Sequence, residues 1–377
     1  MIKNFNHQKT IGIVGAVPDS QAFVSEANQL GFETYLLCNT YEEAALVVEA
    51  DQVFVGVFED KKIQDEFLMQ CDLLVYYDET LNAAEIEEAQ KTVVVPQGDD
   101  LLSIAQDRVL QKAFLESLSV NIAPYITVVK EEDIEEGLRS IGYPAVLRTN
   151  QVNPESQKQS YFIYEENDIE KAASLLKYGT CVLESWIVSE QDLSISAVKT
   201  ANGELKLFPI IKREYRKDRL FNVQVPVDLN EEIANEIERV TYVILENIEF
   251  RGVATIDLVL SPAEALYVGD IYPYPNILSR YSTQWCTLST AEAHLRAIAS
   301  LPVADKTDCQ TPYVFVPFYA DQKEMINELI AIQPDWKFTF YPITKKEEFN
   351  TQEAVGHILL KTENVKKTLA LLKEENY

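Results

Sequence analysis

The sequence predicts an α/β protein with more than one domain, and three observations support this. The chain has 377 residues, which is too many for one ordinary hydrophobic core, so two or three domains are expected. Over residues 10–97, short apolar runs alternate with helical stretches, a pattern typical of a parallel sheet covered by helices. From Pro312 onward, a smaller unit of strands and helices follows a long central region.

The N-terminal region contains five predicted strands, separated by helices at about 20–30, 41–49 and 63–70. In order, the strands are TIGIVGA, ETYLLCN, VFVGV, DLLVYY and KTVVVPQ. The turn after the first strand reads GAVPDSQ, which has one glycine and is not the GxGxxG pattern of dinucleotide-binding folds. We therefore interpret Asp19, at the start of the next helix, as a helix cap rather than a ligand.

The central region is predicted to contain helices at 99–118, 131–141 and 290–300, and a long amphipathic helix at 229–245. Between them lie apolar runs with strand character, among them AVLRT, YFIYEEN, CVLESWIV and LSISAVKT. The polar stretch TNQVNPESQKQS, residues 149–160, is predicted to be a loop or hairpin tip.

The composition excludes several classes of function. Lys and Arg total 33 against 60 for Asp and Glu, which gives a formal net charge of −27. A field of this sign repels nucleic acids and anionic membranes, so neither is an expected partner. The five cysteines are scattered without a CxxC pair, which predicts no disulfide framework or thiolate zinc site and fits a reducing cytoplasm. No apolar run is long enough to cross a membrane, and the amino end lacks a signal-peptide pattern.

The most informative local feature is a pair of acids in the segment GVATIDLVLSPAEALYVGDIYPYP, residues 252–275. VATIDLVL and ALYVGDI are predicted strands, and SPAEA is predicted to be the turn between them. A hairpin symmetric about residues 263 and 264 places Asp257 directly across from Asp270. Two like charges there destabilise the sheet unless a cation neutralises them. Two carboxylates on one face suit a hard metal ion, so magnesium is predicted here. The alternative is a surface hairpin with both acids in water.

Several longer stretches resemble the ATP-grasp family and, within it, the 5-(carboxyamino)imidazole ribonucleotide synthases. These stretches are VPQGDDLLSIAQDRVLQKAFLESL, GYPAVLRT, CVLESWIVSEQDLSISAV, FRGVATIDLVL and EAHLRAI. The resemblance implies an N-terminal parallel α/β (pre-ATP-grasp) domain at 1–100, an ATP-grasp domain at 101–305 with its lid at about 120–180, and a small C-terminal α+β domain at 306–377. It also implies a homodimer that uses ATP, magnesium and bicarbonate to carboxylate 5-aminoimidazole ribonucleotide in purine synthesis, through an acyl phosphate.

The resemblance further implies roles for charged side chains near the phosphates. Arg108 corresponds to the family's nucleotide-contacting arginine, and Arg148 to its phosphate-binding lysine, which makes Arg148 the implied catalytic group. Lys158 corresponds to the lysine of the lid loop. Asp257 and Asp270 correspond to the two magnesium-holding glutamates.

The implied adenosine site lies a little further along the chain. The hinge that receives adenine corresponds to Glu184, Ser185, Trp186 and Ile187. The acid that holds the ribose hydroxyls corresponds to Asp192. From the residues alone, Glu184 and Asp192 are more typical of solvated caps than of ligands, and Trp186 and Ile187 are more typical of a core than of an adenine site.

Other segments depart from the family's pattern. The lid loop, QVNPESQKQ, has no glycine, although glycine lets backbone amides approach phosphate closely. YPNILSR, residues 274–280, replaces the family's reaction-centre segment, and Tyr215 stands where a nucleotide-site histidine is expected. The nearby basic cluster at residues 212–219 is typical of a solvated face, and it also suits an anionic ligand.

Two hypotheses therefore remain open at this point. The first is the family's enzyme, in which Arg148 and Arg108 orient the phosphates. The second is a non-catalytic or nucleotide-binding relative, or a ligase acting on a different amine or carboxylate. Arg108 has the further alternative of a surface cation paired with Asp107 or Glu116. His294 and His357 are interpreted as core residues.

Overall fold

The computed structural model describes residues 9–151, 159–216, 219–305, 307, 312–342 and 353–374. Within these ranges the chain forms three sheets, of four, nine and four strands.

The N-terminal part is a parallel four-stranded sheet with the strand order β3-β2-β1-β4. Its strands are β1 (Thr10–Val14), β2 (Glu33–Cys38), β3 (Gln52–Val55) and β4 (Leu73–Tyr76). Its helices are α1 (Pro18–Gln29), α2 (Tyr41–Ala44), α3 (Lys61–Leu68) and α4 (Ala83–Ala89). All five residues of β1 are buried, because a central strand of a parallel sheet is covered on both faces. The predicted parallel α/β arrangement is confirmed.

The prediction of a fifth strand in the N-terminal sheet is wrong. KTVVVPQ contributes only one isolated parallel bridge, between Leu73 and Val94. Pro96 has no amide hydrogen to extend the ladder, and Val94 is exposed rather than packed between helices.

The interpretation of Asp19 as a helix cap is also wrong. Val17 is the N-cap residue of α1, and its amide donates to the hydroxyl of Ser20. The Asp19 carboxylate instead accepts a hydrogen bond from Nε of Arg280, at 2.5 Å. This ion pair joins the first helix to the segment 274–280.

Residues 125–185 carry a separate antiparallel sheet with the order β5-β8-β6-β7. Its strands are β5 (Tyr125–Val128), β6 (Ala145–Thr149), β7 (Ser160–Ile163) and β8 (Cys181–Ser185), and its helices are α7 (Glu131–Ile141) and α8 (Ile169–Ala173). The strands and helices share one apolar core. Arg148 of β6 pairs with Ser160 of β7, and most of the stretch predicted as a loop or hairpin tip, residues 152–158, lies outside the described residues.

The largest sheet has the order β14-β13-β9-β11-β12-β15-β17-β16, with β10 paired to β9. Its strands are β9 (Gln191–Lys199), β10 (Leu205–Leu207), β11 (Ile211–Arg216), β12 (Arg219–Val225), β13 (Gly252–Leu260), β14 (Leu266–Tyr272), β15 (Tyr313–Tyr319), β16 (Lys337–Phe340) and β17 (Ala354–Lys361). Since β12 pairs with β15, the C-terminal strands continue the central sheet. The domain boundaries predicted from the sequence stay predictions.

The remaining helices lie around this sheet. They are α5 (Asp100–Gln106), α6 (Arg108–Ser117), α9 (Glu231–Glu246), α10 (Ser282–Trp285), α11 (Thr290–Ile298), α12 (Lys323–Ile332) and α13 (Val365–Glu374). The single helix predicted at 99–118 is two helices, because Asp107 is extended and its side chain caps α6 by accepting from the amide of Leu110.

Among the described helices, none combines the length and the apolar character that a membrane-spanning helix requires. Cys38, Cys71 and Cys181 are free thiols. Cys286 is disulfide-bonded, which the scattered cysteine pattern did not predict.

His294 and His357 are core residues, as predicted. Nδ1 of His294 accepts a hydrogen bond from the amide of Val253 at 2.9 Å. The neighbouring Gly252 has a φ of 117°, and a Cβ there would lie 2.6 Å from the imidazole, so only glycine allows this approach. Burial lowers the pKa of His294 to about 3, and burial also lowers that of His357 to about 3.

The buried histidines predict a loss of stability in mild acid. An unfolded histidine binds a proton below a pKa of about 6.5, whereas folded His294 does not until its pKa of about 3, so stability falls as the pH drops between these values. Replacing His294→Gln keeps an acceptor for the Val253 amide and removes the titration. We expect its unfolding free energy to fall less steeply between pH 6 and 5, by about 1.4 kcal/mol per pH unit, in denaturant titrations. Equal slopes for the two proteins would contradict this assignment.

Candidate active site

The hairpin of β13 and β14 brings Asp257 and Asp270 together, but not as a directly opposed pair. Ile256 pairs with Ile271, whereas Leu258 pairs with Val268, so the register shifts by one residue at Asp257. Two residues of β14, Gly269 and Asp270, therefore stand opposite the single residue Asp257 of β13, and this arrangement is a β-bulge. The direct cross-strand pairing predicted from a symmetric hairpin is wrong for this reason.

Asp270 lies between two arginines from different elements. Arg148, on β6, binds both carboxylate oxygens, at 3.2 Å from Nη1 and 2.7 Å from Nη2. Arg108, the first residue of α6, donates from Nη1 at 2.7 Å. Burial alone would raise the pKa of Asp270, but the two guanidinium groups overcome this and hold the pKa well below its usual range. The forked contact is the strongest geometry available to a carboxylate.

Arg108 also connects this point to the lid. Its Nε donates to the carbonyl oxygen of Thr149 at 3.1 Å, and its amide donates to the carbonyl of Asn150. The interpretation of Arg108 as a surface cation paired with Asp107 or Glu116 is wrong, because its partner is Asp270.

Asp257 is more deeply buried, with 7 % of its surface exposed. Its Oδ1 accepts from the hydroxyl of Ser194 at 2.7 Å, and its Oδ2 accepts from Arg213 and from the hydroxyl of Tyr272. Burial raises the pKa of Asp257, and the charge of Arg213 and the Ser194 hydrogen bond offset part of that rise. The alternative of two acids in water therefore does not hold.

The residues in this arrangement do not fit a divalent ion. Each oxygen of Asp257 and Asp270 already accepts at least one hydrogen bond, and guanidinium donors contact both carboxylates. A magnesium ion requires carboxylate oxygens at about 2.0–2.1 Å, so it would have to displace these arginines. Within the described ranges, no group of three or more His, Cys, Asp or Glu residues forms a metal cluster. The magnesium site stays a prediction that this geometry does not favour.

Glu184 forms a buried ion pair near the end of β8, just before the chain enters β9 of the nine-stranded sheet, at the position predicted to be the hinge. Nζ of Lys112 lies 2.8 Å from Oε2 of Glu184, and both side chains are almost fully buried. Nη1 of Arg148 lies 3.7 Å from Oε1 of Glu184, an oxygen that is buried without a hydrogen-bond partner. Arg148 thus stands between the acid of the hinge and Asp270. A buried acceptor of this kind is available to a ligand donor.

The other predicted nucleotide contacts in the described part of the chain follow shortly after Glu184 in the sequence. Trp186 is 44 % exposed and packs edge-to-face on Phe162 at 4.8 Å, and Ile187 next to it is half-buried. Asp192, on β9, is half-buried and pairs in register with Arg213. Lys158 lies outside the described residues. No comparison tests these ligand roles, which stay predictions.

A cleft of about 380 Å³ adjoins the acid pair. Tyr272, which donates to Asp257, lines it, together with Tyr215, Tyr274 and Tyr319. Asp19 and Glu79 supply the acidic part of its wall, and burial raises the pKa of both carboxyl groups. The Tyr272 hydroxyl connects the cleft to Asp257, so the cleft offers space for a small molecule on that side of the acid pair.

Two side chains of this site were not predicted. Lys112 is four residues after Arg108 on α6, a spacing that places both on one helix face, so periodicity gave a usable signal. Arg213 follows Ile211 by two residues on β11, and both are buried, so strand alternation gave a second signal. Arg213 was not singled out from the basic cluster at residues 212–219. Its neighbours Lys212 and Glu214 lie on the opposite face of β11.

Comparisons with known proteins agree with this architecture. Residues 113–290 match the family model described as the ATP-grasp domain, and residues 8–106 match the ribonucleotide synthetase preATP-grasp domain. Together the two family models cover most of the chain. The preATP-grasp match covers the N-terminal parallel sheet, and the ATP-grasp match covers the region that follows it.

Similar proteins span the whole chain. The N5-carboxyaminoimidazole ribonucleotide synthase of Bacillus subtilis is 26% identical over 348 residues, which cover 92% of this chain and 90% of that protein. A crystal structure of an N5-carboxyaminoimidazole ribonucleotide synthetase with ADP superposes with a TM-score of 0.90 at 24% identity, covering 98% of this chain and 96% of that one. The Aspergillus clavatus enzyme with ADP and 5-aminoimidazole ribonucleotide gives 0.87 at 18% identity and 98% coverage of both. The chain therefore contains a preATP-grasp domain followed by an ATP-grasp domain, and it is similar to these synthases along nearly its whole length.

Proposed function

We propose that the chain is an ATP-dependent carbon–nitrogen ligase that carboxylates 5-aminoimidazole ribonucleotide with bicarbonate in purine synthesis. The observation that carries this proposal is the convergence of Arg108 and Arg148 on Asp270, where α6 and β6 meet the hairpin of β13 and β14. Full-length similarity to synthases of this reaction supports it.

The reaction proceeds in two transfers. A bicarbonate oxygen attacks the γ-phosphorus of ATP, the bond to the β-phosphate oxygen breaks, and ADP leaves with that electron pair. The amine nitrogen of the ribonucleotide then attacks the carbon of the resulting acyl phosphate. Phosphate leaves and the nitrogen loses a proton, so the products are a carbamate, ADP and phosphate.

The chain contributes position and charge rather than a nucleophile. Arg148 and Arg108 bind the phosphate oxygens that gain negative charge, which stabilises the transition state where water is excluded. Lys112 and Glu184 fix the hinge beside the nucleotide, and Asp192, in the role that the resemblance implies, accepts hydrogen bonds from the ribose hydroxyls. Holding two reactants in a near-attack geometry supplies much of the remaining acceleration. Because the acid pair is occupied by arginines, no step is assigned to a metal ion.

The alternative of a non-catalytic relative is not favoured, because the proteins that are similar over the full length are synthases of this reaction. A homodimer, which follows from the resemblance, and a cytoplasmic location, which the scattered cysteine pattern favours, complete the proposal. Light scattering on the purified chain tests the dimer.

ADP formation by the purified chain tests the proposed reaction. We expect turnover on the order of 1–10 s⁻¹ with ATP, bicarbonate and 5-aminoimidazole ribonucleotide together. Omitting either bicarbonate or the ribonucleotide is the control, and each omission is expected to remove most of the ADP formed. ATP protection against thermal unfolding without any turnover would instead favour the nucleotide-binding relative.

A further inference from the structure

The side chain of Arg213 reaches Asp257 across an intervening strand. Arg213 on β11 is in register with Asp192 of β9, and Asp257 on β13 is in register with Ser194 of the same strand. Residues two apart on a strand share a face, so all four side chains lie on one side of the sheet. The guanidinium contacts Oδ2 of Asp257, and its central carbon lies 5.8 Å from the ring centroid of Tyr215.

Arginine satisfies the requirement that led us to predict a metal ion. Two carboxylates this close need positive charge, since ionised groups removed from water are costly unless paired. Arg213 supplies that charge to Asp257, and Arg148 and Arg108 supply it to Asp270. An arginine cannot deprotonate to make room for another cation.

The charges of this site are already balanced without a second cation. Lys112 is paired with Glu184, and three guanidinium groups face three carboxylates, because Asp192 lies on the same face as Arg213 and Asp257. A divalent ion would add two positive charges to a buried site whose carboxylates already have cationic partners. Nε of Arg213 is buried without a hydrogen-bond partner, so this guanidinium retains an unused donor.

We propose that Arg213 is the fixed cation of the nucleotide site, in the place of a divalent ion, so that the chain binds ATP without divalent metal. This inference rests on the proposed nucleotide site and deepens it. It assigns to one side chain of this chain a charge that the resemblance assigns to magnesium.

Calorimetric titration of the intact chain with ATP tests the inference, once with excess magnesium and once with EDTA. We expect the two dissociation constants to agree within about threefold, a difference of less than about 0.7 kcal/mol. Binding with magnesium that is lost in EDTA would overturn the inference and leave the proposed enzyme standing. No binding in either buffer would overturn both.

A substitution provides a second, nucleotide-independent readout. Manganese titrations followed by electron paramagnetic resonance are expected to show no tight site in the unmodified chain. In Arg213→Gln, Asp257 loses its cation while Asp270 keeps Arg148 and Arg108, so Asp257 is expected to gain weak manganese binding, and Arg213→Gln/Asp257→Asn is expected to lose it. Arg239→Gln, which removes the same charge from an exposed ion pair on α9, is the matched control. A tight manganese site in the unmodified chain would overturn the inference whether or not the variants fold.

Discussion

Arg148→Met is expected to reduce ATP turnover by at least about 100-fold, which is the cost of removing one preorganised donor from a developing negative charge. Arg148 binds both oxygens of Asp270 and lies 3.7 Å from Glu184, so it joins the lid to the hairpin at the proposed position of the phosphates. The loss should fall on kcat as well as on kcat/KM, because the contact strengthens as charge develops.

The fold is expected to survive this substitution. Asp270 keeps Arg108 at 2.7 Å, so no carboxylate is left buried without a cation. Near-unchanged thermal unfolding of Arg148→Met would therefore accompany the loss of turnover. Arg139→Met, which changes an exposed arginine of the same lid, is the control and should retain full activity.

Arg148→Lys separates charge from geometry. Lysine keeps the positive charge but not the planar fork, and the resemblance implies a lysine at this position. We expect this variant to retain most of the turnover that Arg148→Met loses. Turnover of Arg148→Met within about threefold of the unmodified chain would exclude Arg148 from the catalytic site.

The sequence predicted those parts of the fold and site that depend on local pattern. The buried run of β1 and the acids of the hairpin were recognisable because strand alternation and turn residues lie close together in the chain. Arg148 was recognisable because it ends an apolar strand before a polar loop. Each of these features is encoded within about ten residues, the range over which periodicity is informative.

The parts that could not be predicted depend on contacts between distant segments. The bulge at Asp257 adds one residue to β14, and no symmetry of the turn specifies it. The choice of Arg213 as partner for Asp257 follows from the order β13-β9-β11, which joins residues 44 apart in the chain. The same limitation led us to predict a metal ion. The sequence indicated that the two acids need a cation, but it did not indicate that arginines from distant segments supply it.

The buried pair of Lys112 and Glu184 is expected to dominate the stability of the hinge. Lys112→Met should lower the unfolding free energy by about 3–5 kcal/mol, because it leaves the Glu184 carboxylate buried without its hydrogen-bonded cation. Lys112→Met/Glu184→Leu should recover much of that loss, since replacing both charges by apolar groups removes the unpaired charge. Denaturant titrations of the two single variants and the double variant give the coupling free energy directly.

An exposed pair of the same chemistry is the matched control for that cycle. Lys91 and Glu88 on the surface form an ion pair with side chains 67 % and 51 % exposed. Lys91→Met should therefore leave the unfolding free energy almost unchanged, because water screens the pair and replaces the lost partner. If Lys112→Met were as mild as Lys91→Met, water or another cation would have to reach Glu184, and the hinge would be open rather than buried. In that case ATP would protect Lys112→Met and the unmodified chain equally against unfolding. If Lys112 fixes the hinge, ATP should stabilise the variant less than the unmodified chain.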